Sequence, residues 1–147
     1  MTTRLSSSLE GLIDETVALF HRLRATAEAI HGEGEVSAAR RGVLRSLARG
    51  GAQTVPQMAS TRPVSRQHIQ TIVDALAADG LVETVANPAH KRSVLVRLTS
   101  AGRAAVRDIA AREAAFLRSL DLDMAAADVD RAVRVLRALR SRLEGTG

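Results

Sequence analysis

The side chains best suited to chemistry in this sequence lie on one predicted helix, from Ser65 to Leu76. They carry guanidinium, amide, hydroxyl and carboxylate groups and form its polar face: Arg66, Gln67, Gln70, Thr71 and Asp74. Guanidinium, amide and hydroxyl groups are the ones with which proteins read base edges and hold phosphates. The same mixture is also typical of the solvated face of any amphipathic helix. Taken alone, these residues leave both interpretations open.

The helix that carries this face has recognisable signals at both ends. Pro63 disfavours a helical conformation at the residue before it, and Ser65 is a favourable N-cap whose hydroxyl group is also a candidate phosphate ligand. Gly80 is a typical helix stop. The apolar residues recur at i, i+3, i+4 and i+7, which predicts one buried stripe. They are Ile69, Ile72, Val73 and Leu76.

A shorter helix is predicted immediately upstream. Thr54 and Gln57 have the spacing of a capping box, and a proline such as Pro56 is tolerated in a first helical turn. Two short helices joined by a tight turn, the second with a polar outer face, form the helix-turn-helix pattern.

A β-hairpin is predicted immediately downstream. The β-rich segments Leu81–Ala86 and Val94–Leu98 flank a polar loop that begins with Asn87 and Pro88. Lys91 and Arg92 stand in this loop, where they are either DNA contacts or ordinary solubilising charges. A basic hairpin directly after a helix-turn-helix is a wing. The sequence therefore predicts a mainly α protein with a small β-hairpin wing.

Long helices with heptad periodicity are predicted at both ends of the chain. In the first helix the repeating residues alternate steps of four and three: Leu9, Ile13, Thr16, Phe20, Leu23, Ala27 and Ile30. The last helix comes close to the same pattern with Val129, Val133, Leu136, Ala138 or Leu139, and Leu143, and its outer face is rich in arginine. Such patterns predict packing against another long helix, in the same chain or in a second copy.

Composition narrows the classes of function. The chain has 147 residues, enough for one domain with a core, and a formal net charge of +5, in which Lys91 is the only lysine. A basic balance suits a polyanionic partner. Aromatic residues make up only 1%, which argues against base-stacking platforms for single strands. The absence of cysteine excludes disulfides, thiolate metal sites and cysteine nucleophiles.

The sequence predicts neither an enzyme nor a cofactor or metal site. It has no nucleophile elbow and no glycine-rich phosphate loop. His31, Glu33 and Glu35 share one loop, yet the other histidines lack the spacing of metal ligands. Residues 1–10 lack the apolar segment of a signal peptide, and no apolar run approaches membrane-spanning length. We expect a cytoplasmic protein.

Residues 36–102 resemble the DNA-binding lobe of the multiple-antibiotic-resistance regulator (MarR) family. The similarity rests on the order and spacing of several short motifs. These are Ser65-Arg66-Gln67, Asp74-Ala75-Leu76, Gly80-Leu81-Val82, Asn87-Pro88, Lys91-Arg92 and Leu98-Thr99-Ser100-Ala101-Gly102. Residues 6–31 and 103–145 fit the dimerisation helices of the family by position. One departure is His90, which stands where the family's wing usually has an acidic residue that braces the wing arginine.

The resemblance implies a homodimeric transcription regulator that binds double-stranded DNA at a palindrome, most often as a repressor. It implies that the helix bearing Arg66 reads a major groove and that Arg92 enters a minor groove. It also implies a small apolar or aromatic effector, for which Phe20 is a candidate pocket wall. Arg40, Arg41 and Arg62 are either contacts to the DNA backbone or solvated surface. Two alternatives stay open, a winged-helix module that binds an acidic protein partner and a metal-responsive DNA-binding sensor.

Overall fold

The computed structural model describes residues 3–32 and 35–145. Along this part of the chain the elements are α1 (Thr3–His31), α2 (Glu35–Gly50), α3 (Val55–Ser60), α4 (Arg66–Ala78), β1 (Val82–Ala86), β2 (Val94–Leu98), α5 (Ser100–Ser119) and α6 (Ala126–Glu144). This order confirms the predicted mainly α chain with one β-hairpin. The helix α2 begins at Glu35, so Ser37, a residue type that often caps helices, lies within it.

A single hydrophobic core joins α2, α3, α4 and the hairpin. Its members are Val43, Leu44, Leu47, Met58, Ala59, Ile69, Ile72, Val73, Leu76, Val82, Val96 and Leu98. The predicted apolar stripe of α4 is confirmed, since all four of its side chains are buried. Burying a side chain of this size contributes roughly 1.5–3 kcal/mol. The core therefore fixes which face of α4 is left to solvent.

The hairpin is antiparallel and its register pairs Val82 with Leu98 and Ala86 with Val94. Val82 and Leu98 lie together on the core side, because residues directly opposite each other in an antiparallel pair share a face of the sheet. A third segment joins it. Gln53 forms an isolated bridge with Val96, with N–O distances of 3.0 and 2.7 Å. The sequence did not predict this bridge, since one residue of strand has no periodicity to detect.

The first turn of α5 packs tightly against the start of the hairpin. Thr99 caps this helix, because its hydroxyl oxygen accepts from the N–H of Gly102 at 3.0 Å while donating to the carbonyl oxygen of Gly80 at 2.6 Å. Gly102 is buried, and a Cβ atom at this position would lie 1.9 Å from the carbonyl oxygen of Leu81. Only glycine allows the two backbones to approach so closely.

The chain forms two compact units, one ending at Phe116 and one beginning at Leu117. In the first unit, α1 has no buried residue, and Ile13, Phe20 and Leu23 are about half exposed. In the second unit, α6 likewise has no buried residue. Both helices thus present large apolar side chains that a single chain leaves uncovered.

Candidate nucleic-acid interface

The start of α4 is fixed by its cap. Ser65 has extended backbone angles, φ −74° and ψ 157°, and its hydroxyl oxygen accepts from the N–H of His68 at 3.1 Å. The helix ends at Ala78, and the chain leaves it through Gly80, whose φ of +71° is a conformation that residues other than glycine rarely adopt. The predicted N-cap and stop are both confirmed. They set where the polar face of α4 begins and ends.

The polar face of α4 is exposed along its whole length. Its residues span an arc of about 140° at 100° per residue, opposite the buried stripe. Within the described part of the chain, the side chains of Arg66 and Gln67 make no hydrogen bond or ion pair. Gln70 and Thr71 differ, because Gln70 donates to Asp74 at 2.8 Å and Thr71 donates to the carbonyl oxygen of Gln67 at 3.0 Å. Arg66 and Gln67 are therefore the donors free to meet a ligand without breaking an existing bond.

The helix before α4 is held by a reciprocal capping box, as predicted. The N–H of Gln57 donates to the Thr54 hydroxyl at 3.2 Å, and the N–H of Thr54 donates to the Gln57 amide oxygen at 2.8 Å. Buried Met58 fastens the same helix to the core. Both α3 and α4 are thus held in position by the same hydrophobic core.

Arg62 in the turn between α3 and α4 has a structural contact that sequence reasoning missed. Its guanidinium group donates to the carbonyl oxygen of Gly42 in α2. A Cβ atom at Gly42 would lie only 3.0 Å from Nη1, the other terminal nitrogen of the same guanidinium group, so the glycine makes room for it. Arg62 therefore ties the turn to α2, a contact that was part of neither interpretation left open for it, the DNA-backbone contact or the solvated surface. The glycine at position 42, inside a helix, was the sequence feature that could have indicated this close contact.

Arg40 and Arg41 also make intramolecular interactions that the sequence did not predict. Arg40 pairs with Asp79, at the end of α4. Arg41 is only 8% exposed, so it is neither solvated surface nor an available phosphate contact. Desolvation lowers the pKa of Arg41, the neighbouring charge of Arg45 adds to the effect, and Glu113 and Glu28 oppose it. Because guanidinium groups stay charged, the shift reports the cost of burial and not a titration.

A charged cluster joins three helices of the first unit. Glu113 of α5 accepts from Arg45 of α2, and the same carboxylate oxygen lies 3.3 Å from the imidazole Nε2 of His31 in α1. The side chain of His31 is 96% buried, since only 4% of it is exposed. Sequence reasoning missed this cluster because its members are up to 82 positions apart.

The loop of the wing is organised by its two end residues. Asn87 donates from its side-chain amide to the Ser93 hydroxyl at 3.0 Å and accepts from the N–H of Ala89 at 3.0 Å. Lys91 and Arg92 are exposed, and no described residue forms an ion pair with either. Both cations stand on a hairpin whose first strand contacts α4.

Metal-ligand clusters and open clefts are the remaining features of the described residues that could receive a small ligand. In residues 3–32 and 35–145 no three potential ligand side chains come together to hold a metal ion. Of the three residues named for the loop His31, Glu33 and Glu35, only His31 has a described side chain, because Glu33 and the side chain of Glu35 lie outside the described part. Two open clefts, of about 640 and 420 Å³, lie at the base of the wing and beside α2. Phe20, a candidate pocket wall, lines neither of these two clefts.

Among the described helices none is long and apolar enough to cross a bilayer.

Comparisons with known proteins agree with this architecture. The profile of the MarR family matches residues 36–93. An uncharacterised protein of Mycobacterium tuberculosis, Rv2011c, is 36% identical over 105 residues, which cover 67% of this chain and 73% of that protein.

Solved structures extend the similarity beyond the winged helix. A crystal structure of the MarR family transcription regulator SP03579 is 25% identical, with a TM-score of 0.77 over 99% of this chain and 98% of that one. The Staphylococcus aureus MarR protein, solved in complex with salicylate and kanamycin, has a TM-score of 0.81 at 12% identity, covering 98% of this chain and 97% of that one. At that identity the likeness concerns the fold. The exposed face of α4, the capped helix before it, the wing after it and these similarities together establish that the chain belongs to the MarR family of winged helix-turn-helix transcription regulators.

Proposed function

We propose that this protein is a homodimeric regulator that binds a palindromic site on double-stranded DNA in a sequence-specific manner. The observation that carries the proposal is the exposed polar face of α4, on which Arg66 and Gln67 have no partner among the described residues. Unoccupied, exposed donors at the start of a capped helix suit the base edges of a major groove. Gln70 and Thr71 would join the interface by exchanging their bonds within the helix for bonds to DNA, and the Ser65 hydroxyl would lie near a phosphate.

The wing supplies the second contact. Lys91 and Arg92 carry charges that no described carboxylate neutralises. A narrow A·T-rich minor groove has an enhanced negative potential, which attracts an inserted arginine. We assign Arg92 to that groove and Lys91 to the adjoining phosphates. The net charge of +5 per chain supports capture by the DNA backbone.

The terminal helices are the proposed dimer interface. Along α1 the side chains of Ile13, Val17 and Phe20 are 46–56% exposed, and along α6 those of Val129 and Val133 are 44–47% exposed. Apolar surface of this extent is unusual on a monomer and typical of an interaction site. A second copy of the chain would cover both helices and bring two α4 helices to half-sites about one helical turn, roughly 10 base pairs, apart.

Regulation would follow from that spacing. A dimer that occupies its site excludes other proteins from the same DNA, so repression needs no further surface. A small apolar or aromatic molecule that prefers another spacing of the two lobes would weaken DNA binding, through its difference in affinity for the two states. The salicylate-containing Staphylococcus aureus structure supports this class of effector.

The experiment that tests the proposal is selection of bound sequences from a random pool of duplex DNA. We expect one enriched site with two-fold symmetry, a half-site spacing near one helical turn and a steep dependence of affinity on salt. Enrichment of no sequence would contradict sequence-specific recognition, and enrichment of an asymmetric site would contradict the homodimer. A module that binds acidic proteins would show salt dependence without preference for a sequence. A metal-responsive sensor would change its affinity for the selected site when divalent ions are added.

A further inference from the structure

The wing loop is closed by neutral groups. The amide nitrogen of Asn87 donates to the hydroxyl of Ser93 at 3.0 Å, which ties the first residue of the loop to the last. Two backbone bonds run parallel to this tie, from the N–H of His90 to the carbonyl oxygen of Asn87 and from the N–H of Ser93 to that of His90, both at 3.2 Å. The amide oxygen of Asn87 accepts from the N–H of Ala89, so both ends of its amide are occupied.

The hydrogen bond between Asn87 and Ser93 is less exposed than the tip of the loop, residues 88–92. Asn87 and Ser93 are half-buried, whereas every residue between them is exposed. A hydrogen bond that is partly shielded from water competes less with solvent than one at the exposed tip. The conformation of residues 88–92 is therefore determined at the two ends of the loop.

The tip carries its cations without an acidic partner. The acidic residue of the hairpin strands is Glu83, and its carboxylate oxygen already lies 2.8 Å from the guanidinium Nε of Arg97, its cross-strand partner. Lys91 and Arg92 have no ion pair within the described part of the chain, and His90 takes the position where a bracing acid is expected from the family. A carboxylate there would orient an arginine at the expense of cancelling part of its charge.

We propose that Asn87 and Ser93 are positioning residues for DNA binding, which hold the wing tip in place without an acid and so leave the full charge of Lys91 and Arg92 available to the DNA. This inference rests on the proposed function. A tip ordered before binding loses less conformational freedom when it binds. An uncompensated arginine also displaces a full counterion from the phosphates. The neutral hydrogen bond between Asn87 and Ser93 therefore raises the affinity for DNA by positioning Lys91 and Arg92.

The test measures the dissociation constant and its salt dependence on the selected operator for the full chain and its variants. For Asn87→Ala and Ser93→Ala we expect affinity to fall about three- to tenfold, the effect of one lost hydrogen bond, with an unchanged salt slope because the cations remain. Ser93→Thr keeps the hydroxyl group and should restore the affinity. In an Arg92→Ala background, which itself lowers the salt slope by about one unit, Asn87→Ala should cost much less, since the residue that it positions is gone.

A variant that restores the acid completes the test. His90→Asp should weaken binding and reduce the salt slope, because a carboxylate would neutralise Arg92 at a tip that is already ordered. Tighter binding by His90→Asp, or unchanged binding by both Asn87→Ala and Ser93→Ala, would overturn the inference while leaving the operator preference of the unmodified protein intact. Loss of that preference in the unmodified protein would instead contradict the proposed function. Equal thermal midpoints of the variants would separate positioning from folding.

Discussion

The imidazole Nε2 of His31 at the end of α1 lies 3.3 Å from the carboxylate Oε1 of Glu113 in α5. Because Arg45 of α2 donates to the same oxygen, one carboxylate joins α1 and α5 to α2, the first helix of the DNA-binding lobe. Glu113 also partly compensates the buried charge of Arg41. Glu113 is therefore the shared carboxylate partner of Arg45 and Arg41, and it lies within hydrogen-bond distance of His31.

Replacing Glu113 should destabilise the fold. We expect Glu113→Gln to lower the free energy of unfolding by about 1 kcal/mol, a value reduced because Glu113 and Arg45 remain about one third exposed. Urea unfolding monitored by circular dichroism gives the measurement. Asp108→Asn is the matched control, since it removes a carboxylate from the same helix whose partner Arg112 is exposed. A control variant that lost as much stability as Glu113→Gln would contradict the role of the cluster.

A methyl group at Gly102 should have a large effect. Gly102→Ala would drive its Cβ atom against the carbonyl oxygen of Leu81, and we expect a loss of roughly 2 kcal/mol or more from overpacking. Gly11→Ala in α1 adds the same methyl group where nothing lies within 4 Å. That variant should gain about 0.5–1 kcal/mol because alanine favours helix. The prediction fails if thermal unfolding shows both variants shifting in the same direction.

Ser65 allows folding and DNA binding to be separated. Ser65→Ala should cost about 1 kcal/mol of stability, since the N–H of His68 loses its acceptor. Ser65→Asp and Ser65→Asn should both keep the cap, because each offers a side-chain oxygen. The aspartate variant should nevertheless bind DNA more weakly than the asparagine variant, since its charge would face phosphates. Equal affinities of these two variants in a fluorescence anisotropy titration would place Ser65 away from the DNA backbone.

Arg66 is the predicted base-reading residue. Arg66→Ala should weaken binding to the selected operator by roughly 1–3 kcal/mol while changing binding to random DNA much less. Arg107→Ala removes the same charge from an exposed position of α5 and should weaken both equally and slightly. If Arg66→Ala weakened both DNAs equally, Arg66 would be a phosphate contact only.

The dimer interface can be tested on α1. Phe20 is 56% exposed in one chain, so Phe20→Glu would be harmless in a monomer and would bury charge in a dimer. We expect this variant to sediment as a monomer at micromolar concentration while the unmodified chain sediments as a dimer. Ala18→Glu, on the opposite face of the helix, should leave the dimer intact. A monomeric unmodified chain would rule out the proposed interface.

Local features of the sequence predicted most of the winged helix. The capping box of Thr54 and Gln57, the cap at Ser65 and the stop at Gly80 each depend on residues within four positions, and all three are confirmed. The apolar stripe of α4 is confirmed for the same reason, since helical periodicity is visible in any short window.

What the sequence did not predict depends on residues that are distant in the chain. The contact of Arg62 was not predicted because its acceptor, the carbonyl oxygen of Gly42, is 20 positions away. The burial of Arg41 was not predicted either, since the acidic neighbours Glu28 and Glu113 are also distant in the chain. The roles of Arg66, Gln67 and Arg92 stay predictions, because DNA contacts depend on a partner that no intramolecular contact represents.

The bridge between Gln53 and Val96 has a consequence for solubility. A two-stranded hairpin has two free edges, and an open edge is a template on which strands of other chains can assemble into aggregates. Here Val96 is bonded to Gln53 on one side and lies opposite Thr84 on the other, so the middle of β2 is paired on both edges. The short segment before α3 thus shields this strand, and loss of that pairing would expose a β-rich sequence, Val94–Leu98, to self-association.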